Sequence, residues 1–363
     1  MDKQTDKILQ ERIEKFNQWV MNADLKRIPI GLYHGKMGLC IYFYELAHLV
    51  SEKKYNVFAK KLLDNIVNEV TENIIIDLEN GLTGICFAIN YLFNKRYITG
   101  NSNHVLKELN DKIIQELLFN RILNERGLSL TSINSLLSNL MYLTIRLQNT
   151  KLSKGEKQIM QNVIIENINK IESFETEKFT EPTFFSLTEY FTSRYLNLLP
   201  RISKLHFYDY KIEKIVEGLS PNILYRYPLN KANRLSLYLA MNEIVSNYGN
   251  IKGWKEHIEL LQQHLDISQT INEFRNKNVM FFDGLCGFYY LLKKVGQDNK
   301  YKDSVLDKIS CSGIWNQLPE KEDTIYAPIG LYDGLSGVFL TYLHISHRSN
   351  YNIFFDYVIN QYV

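Results

Sequence analysis

Apolar runs rich in aromatic residues recur along the chain, and each has the length of a short helix. Six such runs are clear, at 39–50, 85–93, 136–147, 235–245, 288–295 and 338–345. A more amphipathic segment usually follows. In 58–70, Phe58, Leu62, Ile66 and Val70 recur at the helical period of about 3.6 residues. The pattern predicts repeated helical hairpins, in which the first helix is buried nearly all round and the second exposes one polar face.

A glycine motif stands directly before these runs. Its two fullest copies lie near the two ends of the chain and hold three glycines each: Gly31, Gly35 and Gly38, and Gly330, Gly334 and Gly337. Shorter copies begin at Gly81 and Gly284, and weaker ones lie at 132–135 and 227–233. The small residue that each copy places just before its apolar helix falls at 35, 81, 132, 230, 284 and 334, a period of about fifty residues. The double gap between 132 and 230 predicts a seventh copy near 181–186.

About seven hairpins of this kind predict an all-α fold and one domain over residues 1–363. The first and last motifs match each other best, which favours a closed α/α toroid with inner and outer rings of helices over an open solenoid. Where neighbouring helix ends converge on an axis, glycine removes the side chain that would separate them, and it also tolerates a tight turn.

Composition and charge narrow the function classes. The chain has 363 residues, 45% of them hydrophobic, with 42 basic and 40 acidic residues and a net charge of +2. Such a balance gives no field that would draw the whole protein onto nucleic acid. The most apolar stretch, 30–50, contains His34, Lys36, Glu45 and His48, so it predicts no membrane insertion. The amino terminus predicts an amphipathic helix rather than a signal peptide, and the four cysteines form no paired motif. We expect a cytoplasmic protein with buried, reduced thiols.

In each clear motif the residue just before Gly35, Gly81, Gly284 or Gly334 is polar, and should point toward the mouth of the ring. These residues are His34, Asn80, Asp283 and Asp333, with Thr131 and Leu229 in the weaker copies. Three interpretations compete: helix capping, a groove that binds a peptide or another ligand, and acid–base catalysis by Asp283, Asp333 and His34. Tyr33 and Tyr332 stand beside this position, where their rings could stack on a ligand.

The motif around Gly31–Gly38, followed by an aromatic helix, resembles the lanthionine synthetase C-like (LanC-like) family over nearly the whole chain. The resemblance implies an α/α toroid whose enzymes add cysteine thiols to dehydrated Ser or Thr. It also implies a zinc ion held by two cysteines and one histidine, which activates the thiol. At the positions of these ligands the chain has Pro228, Phe282 and Asp283. Tyr227 takes the place of a tryptophan, and the fourth-repeat His-Gly has no counterpart near 181–186. We therefore predict no cofactor, although the family would imply zinc.

The main hypothesis is a LanC-like protein of ribosomal peptide modification that binds a precursor peptide or a peptide-modifying enzyme, and that lacks the zinc-dependent cyclase site. Asn80, Tyr33, Tyr332 and Tyr227 are its candidate ligand-binding residues. One alternative is an active thioether-forming cyclase that works without zinc. Another is a carbohydrate-active toroid enzyme, since paired carboxylates such as Asp283 and Asp333 hydrolyse glycosides. The sequence leaves open whether the protein is an enzyme.

Overall fold

The computed structural model describes residues 3–71, 73–119, 130–149, 151–173, 181–249, 251–318, 328–347 and 352–362. Within these ranges the chain forms α-helices and short 3-10 helices and no strand. None of the helices in these ranges has the length and apolar character that a bilayer crossing requires. The predicted amino-terminal helix is present from Lys3 onward, and the first two residues of that prediction lie outside the described part.

Sixteen α-helices follow one another in the described ranges. They are α1 (Lys3–Asn22), α2 (Lys36–Val50), α3 (Lys53–Glu69), α4 (Leu82–Asn94), α5 (Ser102–Phe119), α6 (Leu130–Leu147), α7 (Lys154–Glu172), α8 (Phe191–Ser203), α9 (Asp209–Leu224), α10 (Lys231–Tyr248), α11 (Trp254–Gln263), α12 (Ile267–Glu273), α13 (Leu285–Lys294), α14 (Asp298–Ser310), α15 (Leu335–Ser346) and α16 (Phe354–Tyr362). Short 3-10 helices cover Leu25–Arg27 and Gly313–Gln317.

The predicted alternation of first and second helices occurs seven times along the described part of the chain. The first helices are α2, α4, α6, α8, α10, α13 and α15, and each is followed in sequence by a second helix: α3, α5, α7, α9, α11, α14 or α16. Burial separates the two sets as the pattern indicates. In α2 every residue from Lys36 to Leu46 is buried, whereas α3 buries Tyr55, Ala59, Leu62 and Ile66, one residue per turn. The first helices therefore form the core, and the second ones cover it with one face.

The helices begin earlier than the apolar runs suggest. In α2, α4, α13 and α15 the first helical residue directly follows Gly35, Gly81, Gly284 or Gly334, so the next glycine of the motif lies within the first turn. The weak motif copy at 132–135 is wrong as a helix start, because α6 already begins at Leu130 and Thr131 lies inside it. The seventh motif, expected near 181–186, is followed by α8, which starts at Phe191 with Tyr190 as its N-cap.

Two compact units divide the chain. The first comprises Met1–Ile75, Glu79–Ile98 and Ile267–Val358, and the second comprises Ile76–Leu78, Thr99–Asp266 and Ile359–Val363. In the first unit the core helices α13, α15, α2 and α4 pack side by side in that order. In the second, α6, α8 and α10 do the same. The first and last repeats are thus neighbours within the first unit, as the match between their motifs predicts.

Candidate functional site

The loops that carry the glycine motif share one hydrogen bond. The N–H of the first helical residue donates to the carbonyl oxygen seven residues earlier. The four bonds are Lys36 to Pro29 (2.8 Å), Leu82 to Ile75 (2.9 Å), Leu285 to Asn278 (3.0 Å) and Leu335 to Pro328 (2.8 Å). This bond closes each loop onto the start of its helix. We call these four segments the motif loops; apart from Ile76–Leu78 in the second of them, their residues belong to the first unit.

Space, rather than backbone conformation, explains the glycines of the motif loops. Gly35 and Gly334 have φ angles of −117° and −136°, which any residue can adopt. A Cβ at Gly35 would lie 2.6 Å from the Gly31 carbonyl oxygen, and one at Gly334 would lie 2.6 Å from that of Pro328. Neither distance leaves room for a carbon atom. At Gly35 and Gly334, therefore, the close packing of each loop on itself explains the glycine, and a special turn conformation does not.

Backbone hydrogen bonds also join each motif loop to the next. Phe281 N–H donates to the Tyr332 carbonyl (3.0 Å), Leu331 N–H donates to that of Tyr33 (3.0 Å), and Tyr33 N–H donates to that of Glu79 (2.9 Å). These bonds connect the loops of the sixth, seventh, first and second repeats in series. The four polar residues that precede the glycines are consequently held on one continuous strip of backbone.

Three aromatic side chains of the motif loops pack against one another beside this strip of backbone. The rings of Tyr33 and Tyr332 stack with centroids 4.3 Å apart, and Phe282 lies 4.1 Å from Tyr332 and 4.4 Å from Tyr33. Tyr33 is 4% exposed and Tyr332 is fully buried. The faces of both tyrosines are therefore occupied by neighbouring rings rather than open to a ligand. Their proposed contact with a ligand stays a prediction, and it would require the stack to open.

His34 and Asp333 meet on the outer side of the strip. The His34 Nδ1 atom lies 2.7 Å from Asp333 Oδ1, and the two side chains are 44% and 48% exposed. The hydrogen bond that His34 donates to Asp333 raises the pKa of His34, and the charge of Glu79 acts in the same direction, while partial burial opposes both. Two of the three predicted catalytic residues thus form an imidazole–carboxylate pair that solvent can reach.

Asp283 and Asn80 occupy the equivalent position in their own motif loops. The Asp283 side chain is exposed and that of Asn80 is partly buried, and both interact with other residues of the chain. The N-caps of α2, α4, α13 and α15 are glycines, which offer no side-chain acceptor. Asn230 before α10 differs, because its side chain accepts hydrogen bonds from Ala232 and Asn233 N–H. Among these five helices, only α10 has a side chain at its N-cap that accepts hydrogen bonds from the helix start.

The residues at the family's ligand positions do not fit zinc. Phe282 is a hydrocarbon within the aromatic stack, Pro228 has no donor atom, and Asp283 supplies one exposed carboxylate. The described residues contain no group of three His, Cys, Asp or Glu side chains that could hold a metal.

The cysteines lie elsewhere. Cys40, Cys86 and Cys286 are buried inside helices α2, α4 and α13, and only Cys311 is exposed. Burial raises the pKa of the Cys40 thiol far above its usual range and that of Cys286 to about 12. Such thiols resist the deprotonation that metal binding needs.

In the second unit, Tyr227 lies in a small polar cluster just before α10. Its hydroxyl is 2.7 Å from His264 Nδ1, and the Arg234 guanidinium stands 4.5 Å above its ring. Sequence analysis singled out Tyr227 but missed its two partners, since neither belongs to a motif. Its role in ligand binding stays a prediction.

Glu181, also in the second unit, is a further residue that sequence reasoning missed. Its carboxylate accepts a hydrogen bond from the Tyr190 hydroxyl (3.2 Å) and lies 3.8 Å from the Arg226 guanidinium. Burial raises the pKa of Glu181, and the charge of Arg226 only partly offsets this. The one available signal was its place in the segment where the fourth motif was expected.

Comparisons with known proteins agree with this architecture. The family model described as "Lanthionine synthetase C-like protein" matches residues 26–186. No curated protein matches the sequence. Among solved structures, one described as "Nisin cyclase" is similar with a TM-score of 0.61 at 14% identity, over 98% of this chain and 97% of that one. The likeness in fold over almost the full length of both chains confirms the predicted all-α, α/α toroid fold class.

Proposed function

We propose that this chain, which belongs to the lanthionine synthetase C-like family, binds a peptide at its motif loops within a lanthipeptide modification system and does not cyclise it through zinc. One observation carries the proposal. The residues at the three ligand positions, Pro228, Phe282 and Asp283, cannot form the family's zinc site, while the motif loops keep their full hydrogen-bonded geometry.

Thioether formation needs a thiolate as nucleophile, and an unperturbed cysteine has a pKa of about 8.5. Without a metal to lower that pKa, most of a peptide's cysteine stays protonated near neutral pH. The motif loops instead offer hydrogen-bond acceptors and negative charge. Glu79, Asp283 and Asp333 contribute three carboxylates, beside one imidazole from His34. Such a surface suits the N–H groups and basic side chains of a bound peptide.

The test combines metal analysis with a binding and cyclisation assay. The probe is the fluorescein-labelled, dehydrated precursor of nisin, with nisin cyclase as the positive control for both steps. We expect the purified protein to contain far less than one zinc per chain and to bind the probe. The Asp283→Asn/Asp333→Asn variant should bind it more weakly. Ring closure does not change mass, so free thiols are counted by alkylation with N-ethylmaleimide, and we expect them to persist. One zinc per chain, or loss of thiols, would refute the proposal.

A second candidate function is a zinc-independent cyclase, which the His34–Asp333 pair favours. A histidine held by a carboxylate can act as a general base. In this scheme His34 takes the proton of a cysteine thiol, the sulfur bonds to Cβ of a dehydrated residue, and a proton is returned to Cα. Counting free thiols again distinguishes this cyclase from a protein that only binds the peptide. Loss of thiols in the presence of a chelator, abolished by His34→Gln, would support this alternative. The carbohydrate-active hypothesis stays a prediction without a contact that favours it.

A further inference from the structure

We propose that a groove on the second unit binds a short peptide segment that carries a basic side chain next to apolar ones. The groove runs along helix α9 and is closed on its other side by the connection from α10 to α11. Its volume of about 740 Å³ falls within the range of specific ligand sites. All its residues lie in the second unit, so the proposal does not rest on the function assigned to the motif loops.

Helix α9 contains two residues that weaken a helix, and both are exposed. Gly218 has no atom within 4 Å of where a Cβ would be, so packing inside the protein does not require a glycine there. Pro221 lies inside the helix and has no N–H, so the Glu217 carbonyl lacks its usual helical donor. Pro221 lines the groove and Gly218 does not, so the groove itself has beside it an acceptor without its usual helical donor.

The charged residues of α9 show which ligand charge the groove would accept. Lys211 pairs with Glu172, and Lys214 lies 4.5 Å above the ring of Tyr210. Glu213 and Glu217, one turn apart, line the groove, and within the described part of the chain neither has an ion-pair partner. Lys252 also lines the groove, so two carboxylates there outnumber one ammonium group. This excess of negative charge, together with a backbone acceptor, favours a cationic donor such as an arginine or lysine side chain.

The other end of the groove is apolar and preformed. Leu224, Tyr225 and Ile251 line it, and the Tyr225 side chain is 90% exposed. The Trp254 indole donates to Ser220 Oγ at 2.7 Å, which ties the start of α11 to α9. An exposed aromatic side chain beside a fixed apolar surface is typical of a binding site in which the ligand packs against both.

The dimensions define the ligand further. From Glu213 to Leu224 the helix rises by about 16 Å, which corresponds to about five residues of extended peptide. The ligand is thus a segment of about five residues with an arginine or lysine at one end and aliphatic side chains at the other.

The experiment uses the full chain and three fluorescein-labelled ten-residue peptides, followed by fluorescence polarisation. The first peptide holds two arginines followed by two leucines among serines and glycines. The second replaces the arginines with glutamates, and the third replaces the leucines with serines. We expect only the first to bind well, and its affinity to fall about tenfold in Glu213→Gln/Glu217→Gln. Tyr225→Ala should also weaken binding.

Matched controls separate this groove from general electrostatics. Glu256→Gln/Glu259→Gln makes the same charge change on exposed residues of α11 outside the groove, and Tyr210→Ala removes an exposed tyrosine of α9 that does not line it. Both controls should bind the first peptide like the wild type, and circular dichroism should show that all variants are folded.

The proposal is wrong if the glutamate peptide binds as tightly as the arginine peptide, or if the control variants lose as much affinity as the groove variants. Sedimentation analysis adds a third outcome. A wild-type dimer that Tyr225→Ala converts to a monomer would show that a second copy of the chain covers the groove, and would also overturn the proposal.

Discussion

Lys36 and Glu69 form one ion pair, but their removal should have very different effects on stability. The Lys36 ammonium lies 2.6 Å from both carboxylate oxygens of Glu69, at the last residue of α3. The lysine side chain is 3% exposed, whereas that of the glutamate is 42% exposed. The other motif loops place a leucine at the position of Lys36, and these residues, Leu82, Leu285 and Leu335, are fully buried. Lys36 therefore occupies an apolar site and depends on Glu69 to neutralise it.

The magnitudes follow from which charge remains. In Glu69→Ala a buried ammonium loses its partner, and such a loss costs about 3 kcal/mol or more of unfolding free energy. In Lys36→Leu the glutamate that remains can be hydrated, and leucine suits the site. We therefore expect a change below about 1 kcal/mol.

Urea unfolding followed by circular dichroism measures both variants, with Asn68→Ala as the control for a neighbouring exposed change on α3. In the double variant, the destabilisation of Glu69→Ala should largely disappear, because no ammonium is left to bury. Equal losses of unfolding free energy in the two single variants would show that the site of Lys36 is not apolar, and would refute this prediction.

Three further predictions concern one buried acid, the His34–Asp333 pair and two glycines. Burial raises the pKa of Glu45 to about 7, so the folded state binds more protons than the unfolded one. Stability should decrease by about 3 kcal/mol as pH rises from 4.5 through 7, and unfolding at several pH values should show no such decrease in Glu45→Gln. Because Asp333 raises the pKa of His34, the pair stabilises the fold below the unfolded pKa and loses this effect as pH rises through the folded one. An NMR titration should find that pKa above its ordinary value in the wild type and lower in Asp333→Asn, and equal values would contradict the pairing. Gly334→Ala should lower the melting temperature, because its Cβ would lie 2.6 Å from the Pro328 carbonyl oxygen. Gly218→Ala, in open space, should raise the unfolding free energy by about 1 kcal/mol.

The fold was predictable because its signal is repeated. Each buried first helix needs an apolar run, and each tight loop needs glycine, so the pattern appears at every period of the chain. The prediction failed where the core helix of a repeat begins without the glycine motif. The fourth and fifth repeats start with Tyr190 and Asn230 as N-caps instead of glycine, and α6 extends through the residues that resembled a weak motif.

The site was predictable in its position but not in its contacts. The polar residues before the glycines do come together, yet the bond between His34 and Asp333 joins residues at opposite ends of the sequence. The neighbouring tyrosines point the other way. His34 is exposed, whereas Tyr33 beside it is buried. The stacking of Tyr33 on Tyr332 depends on how the first and last repeats meet, which no local pattern encodes.

The glycine motif has a structural cause that is independent of zinc. A Cβ at Gly31 would lie 2.7 Å from the Glu79 carbonyl oxygen of the next loop, the same oxygen that accepts the Tyr33 N–H. The glycines are thus required by the bonds within and between loops, none of which involves a metal. Phe282, at a position that the resemblance assigns to a ligand, leaves these bonds in place, and its phenyl ring stacks on Tyr332. The motif is therefore a signature of how neighbouring repeats pack, and zinc chemistry has to be judged separately, from the residues beside it.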